Sequence, residues 1–232
     1  VLSRPDGTVL TQREYPALSL VNPQIVDDSR LILSAPGKED FQFKLAKSGS
    51  QMSCSLWGDE SLSVDQGDDV AAWFSSLLKV ECRLLSMADD FVRAVDPDYA
   101  TGEQEVGFAD GFPFLLISEA SLNDLNDKLE FPVPMNRFRP NIVVSGCAPF
   151  AEDKWKSIRI SGVVFDLVKP CARCVMVTID QDHAVLSKEP LRTLAAYRKV
   201  DQKVMFGQNL VHHSSGCIRV GDQLEILALH SG

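Results

Sequence analysis

Apolar and polar positions change places over short distances through the first 60 residues. Arg4-Pro5-Asp6-Gly7-Thr8 carries strong turn chemistry between short apolar runs, and Leu31-Ile32-Leu33-Ser34 is an apolar strand that ends in the turn Ala35-Pro36-Gly37. This region predicts short strands. The period changes at Asp68-Asp69, which read as an N-cap, and the residues after them place Val70, Trp73, Phe74 and Leu77 on one helical stripe. From Met87 to Phe108 the chain is rich in Asp, Gly and Glu without periodicity, which predicts a long loop or a domain junction.

The second half has a different texture. Phe112 to Ile117 is a compact apolar strand, and Ser118 or Ser121 caps a helix with Leu122, Leu125 and Leu129 on one face. Lys156 to Val168 alternates across Ser161-Gly162 and reads as a β-hairpin, a plan repeated from Ile218 to Ile226 around Gly221. Two such hairpins predict a closed or strongly curved antiparallel sheet. A helix is expected over 189–199, with Pro190 in its first turn and Leu191, Leu194 and Ala195 facing inward. The fold class is α+β, mostly β, dominated by a barrel with flanking helices.

With 232 residues, 45% of them hydrophobic, the chain is long enough for one large domain or two modest ones. Its 32 acidic residues outweigh 23 basic ones, and a formal charge of −9 repels a polyphosphate backbone, which argues against nucleic acid as a partner. No apolar run approaches the roughly 18 residues a spanning helix needs, and VLSRPDGT has no secretory pattern, so no membrane association is expected. The first residue is Val, which is consistent with trimming upstream. Cys54, Cys82, Cys147, Cys171, Cys174 and Cys217 are unevenly spaced in a chain too large to need staples, which points to reduced thiols and a cytoplasmic setting.

Cys171-Ala172-Arg173-Cys174 is the densest chemistry in the chain, and its spacing allows several uses. A structural zinc needs four ligands, and the other cysteines are isolated while His212-His213 is not a helical ligand pair. A thioredoxin-type switch needs a helix after the motif, whereas Val175 to Ile179 is β-branched and reads as a strand. A buried structural pair and a thiolate for another metal both stay open. Asn136-Arg137-Phe138-Arg139-Pro140-Asn141 puts two guanidinium groups at a strand mouth, suited to phosphate oxygens or, more plainly, to nearby carboxylates. If that cluster meets Arg173 in space, a neighbouring thiol is driven toward thiolate. Asp110, in Phe108 to Pro113, is either a functional acid or an ordinary turn residue. No dinucleotide fingerprint, Walker loop, nucleophile elbow or His-Glu-x-x-His is present, so nicotinamide, nucleotide-hydrolase and serine-hydrolase chemistry lack their usual motifs.

Together these blocks resemble the MOSC domain. They are Asp110 with Phe112-Pro113-Phe114-Leu115-Leu116, Ser118-Glu119-Ala120-Ser121-Leu122, Arg137 to Asn141, Ser145-Gly146-Cys147, Glu152-Asp153-Lys154-Trp155, Cys171 to Cys174 and Phe206-Gly207-Gln208-Asn209. The likeness is to the bacterial YcbX-type members and to the mitochondrial amidoxime-reducing component. Pro5 to Thr8, Thr11-Gln12-Arg13 and Trp57-Gly58-Asp59 resemble the β-rich domain that precedes MOSC in that family. The resemblance implies two domains, an N-terminal one over 1–86 that is incomplete at its start and a MOSC barrel over 87–232.

It also implies a molybdenum cofactor, with Cys174 as the metal's thiolate ligand, Arg139, Asn141 and Arg173 lining the cofactor, and Asp110 delivering protons. The implied reaction is two-electron reduction of N-hydroxylated compounds, such as amidoximes and hydroxylamines, to amidines or amines. The family's Pro-Val-Lys-Ser segment and a following Asp-Arg pair do not occur here, so this chain alone is expected to be inactive if it is trimmed. It also has no Cys-x4-Cys-x2-Cys run for an iron–sulfur cluster, so electrons are expected from a ferredoxin-type domain or a flavin reductase. The alternative is a sulfur-carrier or cofactor-delivery module in which Cys174 bears a persulfide. A degenerate module without cofactor is a third possibility.

Overall fold

The structure is a computed structural model that describes residues 1–56, 58–100 and 104–230; Trp57 of the N-terminal likeness and residues 101–103 of the expected loop lie outside them. The chain forms two compact units, Val1–Arg93 with Ile179–Leu186, and Ala94–Thr178 with Ser187–Gly232.

The first unit is built from the short strands its alternating pattern predicts: Leu2–Ser3 (β1), Val9–Leu10 (β2), Asn22–Asp27 (β3), Arg30–Ser34 (β4), Phe41–Lys44 (β5), Gln51–Leu56 (β6) and Asp59–Asp65 (β7). Helix α1 (Asp68–Leu78) follows, and then β8 (Arg83–Met87). One sheet runs β2-β1-β8-β7-β6 and a smaller one β3-β4-β5. Three residues of the predicted stripe, Val70, Trp73 and Phe74, lie on the buried face of α1 and pack with Leu2, Leu10, Leu33 and Cys82; the fourth buried position is Leu78, and the expected Leu77 is only half-buried beside them. The N-cap is Gly67 (φ 97°) rather than an aspartate. The chain leaves β7 through a positive φ that glycine takes without a Cβ penalty, so Asp68 and Asp69 fall in the first turn, where the helix dipole favours them.

In the second unit, β9 (Phe114–Ser118) leads into α2 (Glu119–Asn126) and then β10 (Ile142–Val144). The remaining elements are β11 (Trp155–Ile160), β12 (Val163–Arg173), α3 (Leu191–Tyr197), β13 (Lys199–Val200), β14 (Lys203–His212) and β15 (Leu224–Leu229). The main sheet is a half-barrel in the order β10-β9-β14-β12-β11-β15, with β13 beside β14. Successive residues of β9 feed opposite faces, as strand geometry requires: Leu116 joins Ile158, Phe165, Leu167 and Leu210 on one side, and Ile117 joins Phe138, Val177, Leu194 and Phe206 on the other. Burial on both faces is what holds this sheet.

Five expectations are corrected here. The sheet is not wholly antiparallel, because β9 and β10 run parallel; α2 and the chain after it form the crossover that a parallel pair needs. The hairpin β11–β12 forms across Ser161 and Gly162, both at positive φ, but the second hairpin does not. Arg219 and Asp222 close a turn on each other, Ile218 packs on the core, and β15 pairs instead with β11, which offers an open ladder edge. Val175–Thr178 is a single 3₁₀ turn and not a strand: Val177 and Thr178 are buried, and packing overrides their β propensity. The strand expected from Phe112 starts at Phe114, and Pro190 caps α3 instead of opening its first turn.

Candidate functional site

Strand β12 ends at the cysteine motif. Its register on β14 slips between Pro170, opposite Gln208, and Ala172, opposite Met205, and such a bulge re-aims the side chains that follow. The slip faces Gly207, whose φ of 84° and close neighbours leave no room for a side chain: a Cβ there would stand 2.6 Å from Ile117 Cγ1. The Phe206-Gly207-Gln208 stretch therefore shapes the strand beside the motif. Cys174 is the first residue past β12, and its carbonyl accepts a hydrogen bond from Val177 N at 3.3 Å, which starts the 3₁₀ turn.

All six cysteines are thiols, and Cys171 and Cys174 are both half-buried, so they are not a buried structural pair. Arg173 is the hub. Its Nη1 donates to Cys171 Sγ at 3.0 Å and its Nη2 to Phe138 O at 2.7 Å, while the guanidinium lies 5.6 Å from the Phe138 ring centroid. Its Nε is buried, with no acceptor for it among the described residues. The cysteine motif and the arginine loop thus meet, as the sequence reading required for them to reinforce each other.

The loop itself is rigid for identifiable reasons. Met135–Arg137 is a 3₁₀ turn, Arg137 is buried, and Phe138 is fully buried with its ring 4.4 Å from that of Phe206. Arg139 follows in a left-handed conformation (φ 55°) and is exposed. Asn141 binds Leu115 twice, donating its backbone N–H to Leu115 O and accepting from Leu115 N with Oδ1, both at 2.9 Å. Its side chain therefore ties the loop to β9.

Asp110 is exposed on the bend before β9. Phe112, two residues on, packs with Val168 against the cluster of Val95, Val106 and Val211 and has its ring centroid 5.8 Å from Lys169 Nζ, so this bend is held over β12 several residues before the motif. Arg173, Cys171 and the 137–141 loop come together directly; Asp110 belongs to a separate segment.

Two contributors have no signal in periodicity. Glu152 is buried, and its Oε1 accepts from Ser118 N at 3.1 Å and Ser121 Oγ at 2.7 Å, locking the start of α2 to the end of β9. Cys171 had no assigned task, yet it is the sulfur that the Arg173 guanidinium contacts. The Glu152-Asp153-Lys154-Trp155 block points to the first only through family likeness; the Cys-x-x-Cys spacing marks the second, but not its contact with Arg173.

The profile of the MOSC domain matches residues 103–225, and that of the MOSC N-terminal beta barrel domain matches residues 1–81. Mitochondrial amidoxime-reducing component 1 of Mus musculus is 37% identical over 238 residues, which is 96% of this chain and 69% of that protein. Mitochondrial amidoxime reducing component 2 of Rattus norvegicus is 38% identical over 236 residues, 94% of this chain and 70% of its own length. Component 1 of Homo sapiens is 36% identical over 237 residues, 96% and 70% of the two chains. These relatives are mammalian and named as mitochondrial, which lends no support to the bacterial and cytoplasmic setting expected from the sequence. Among the described residues no helix is long and apolar enough to cross a membrane, which says nothing of strands.

Proposed function

The chain belongs to the MOSC-domain family, and from that premise we propose that it reduces N-hydroxylated compounds, amidoximes and hydroxylamines among them, to amidines or amines with a molybdenum cofactor held beside Cys174. The observation that carries this reading is the Arg173 hub, which joins a half-buried Cys-x-x-Cys to an arginine loop while keeping a buried Nε–H with no acceptor among the described residues.

The residues fit such a group. Cys174 offers a soft sulfur ligand at a strand end, the donor type a high-valent metal with sulfur ligands accepts. Arg139 presents an exposed guanidinium, and the Arg173 Nε–H is a further donor for phosphate or pterin oxygens. Asn141 contributes mainly by position, since its Oδ1 is engaged by Leu115 N. When bound, the cofactor supplies the two-electron chemistry, and the protein supplies ligand, orientation and charge. The reduction takes an N-hydroxyl compound, two electrons and two protons to the N–H compound and water; we assign proton delivery to Asp110 from the family likeness alone, since it lies on a separate segment, the exposed bend before β9. The electrons come from a separate donor, a ferredoxin-type domain or a flavin reductase.

The test is molybdenum and pterin content, with turnover of an amidoxime, for the protein purified from a host that makes the cofactor. Cys174→Ala is expected to lose both metal and turnover. Retention of both would sink the assignment, and a one-sulfur mass adduct on Cys174 without bound pterin would replace it with sulfur transfer.

A further inference from the structure

The register slip beside the cysteine motif resolves residue by residue. On β12 only Cys171 lies between Pro170 and Ala172, whereas on β14 both Phe206 and Gly207 lie between the partners of those two residues, Gln208 and Met205. Two residues of β14 therefore oppose Cys171, and the extra one interrupts the ladder. An interrupted ladder does not fix its own width, so the direction of Cys171 depends on what holds the two flanks of the bulge.

Asp153, on the 3₁₀ turn Ala151–Lys154 before β11, holds both. Its Oδ1 accepts from Gln208 Nε2 at 2.7 Å, on one flank. Its Oδ2 accepts from Arg198 Nη2 at 2.5 Å. Arg198 in turn grips the other flank: its Nε donates to Met205 O at 3.3 Å, and its carbonyl accepts from Met205 N at 2.9 Å. One carboxylate thus ties Gln208 to Met205 across Phe206 and Gly207.

The strap is braced on both sides. The Arg198 guanidinium lies 4.1 Å from the Phe150 ring centroid, and Phe150 meets Phe206 edge-on with centroids 6.2 Å apart. Next to Asp153, Glu152 is buried against Ser118 and Ser121. Gln208 is buried too, so losing the carboxylate leaves its amide without solvent as a substitute partner. An ordinary surface ion pair affects only its own neighbours and contributes little. This one joins the two flanks of an irregularity centred on a motif cysteine.

We propose that Asp153 is a positioning residue: acting through Gln208 and Arg198, it sets the width of the β14 bulge and thereby the direction of Cys171 and of the chain that carries Arg173 and Cys174. Only the consequence for a bound cofactor rests on the function proposed above; the strap stands on hydrogen bonds within the chain.

The experiment labels the cysteines of the full chain isotopically at Cβ and reads their six signals by NMR. Asp153→Ala removes both bonds. Gln208→Glu sets a second carboxylate against Asp153, and adding Asp153→Asn remakes the pair, since the new amide donates to the new carboxylate while its oxygen accepts from Arg198. In Asp153→Ala and in Gln208→Glu the Cys171 and Cys174 signals are expected to move, while those of Cys54 and Cys82 in the first unit stay in place. In the Asp153→Asn/Gln208→Glu double variant both are expected to return to their parent positions. Unmoved Cys171 and Cys174 signals in the single variants, all six signals moving together, or no return in the double variant would overturn the assignment. In a host that makes the cofactor, molybdenum and pterin content is expected to fall about tenfold in Asp153→Ala and to recover in the double variant. Full loading of Asp153→Ala with the Cys171 and Cys174 signals displaced would count against the cofactor reading and leave the strap standing.

Discussion

At the scale of single residues, geometry sorts side chains that look alike in the sequence. Arg137, Arg139 and Arg173 are three guanidinium groups near one corner, yet the first is buried, the second is exposed on a left-handed residue, and the third bridges two segments. Lysine at 173 has one ammonium where arginine has a fork, and it cannot hold Phe138 O and Cys171 Sγ together. Arg173→Lys is expected to cost about 1–2 kcal/mol and to speed hydrogen exchange at amides 137–141, measured by mass spectrometry; unchanged exchange there would contradict the hub. Gly207 is the other decisive position. A methyl there would meet Ile117 Cγ1 at 2.6 Å and Leu116 O at 2.9 Å, at a φ that L side chains avoid. Gly207→Ala should therefore lose about 2–4 kcal/mol in urea unfolding, and a loss well under 1 kcal/mol would mean the sheet relaxes around it. The motif Cys171 to Cys174 and the arginine loop were legible as chemistry from residue type and spacing. Which atom of Arg173 faces which partner was not, because that depends on the rotamer and on a loop more than 30 positions away.

At the scale of elements, helix ends and strand partners show where local pattern suffices. Ser118 was one of two expected caps for α2, and its side chain does accept from Ser121 N. Ser118→Ala is expected to cost about 1 kcal/mol by thermal unfolding, and the loss should exceed that of an exposed Ser→Ala control. The entry to α1 carries a pH signature. Burial pushes the Asp65 carboxyl upward, but hydrogen bonds from Arg83 and from Gly67 N–H outweigh it and hold the group below its ordinary value of 3.8. A carboxyl lowered in the folded state stabilises fully above its ordinary value, and that contribution fades as pH falls through the folded value. The stability difference between the parent and Arg83→Gln should accordingly be steady from about pH 7 to about pH 5 and shrink below about pH 4, as read by urea unfolding. A difference that grows in acid would refute the pairing. The 3₁₀ turn after Cys174 and the partner of β15 differ from the sequence expectation for one reason: both are chosen by burial against distant segments, which local β propensity does not contain.

At the scale of the whole molecule, the acidic balance and the two-domain division have separate origins. A formal charge of −9 sets the long-range field and predicts weak association with duplex DNA, with a Kd above about 10⁻⁴ M at physiological salt by fluorescence anisotropy; micromolar binding would show a basic patch strong enough to overcome the net charge. Most of the strand content, the helical stripe of α1, the β11–β12 hairpin and the likeness to MOSC were determined by the sequence itself, since turn residues, period-2 and period-3.6 patterns and contiguous motifs act over a few positions. The meeting of Arg173 with Phe138 and Cys171, the clamp of Asn141 on Leu115 and the parallel pairing of β9 with β10 were decided only by tertiary structure. Each joins residues distant along the chain or depends on side-chain direction, and such contacts follow from how the half-barrel packs on both its faces, a quantity that no window of the sequence contains.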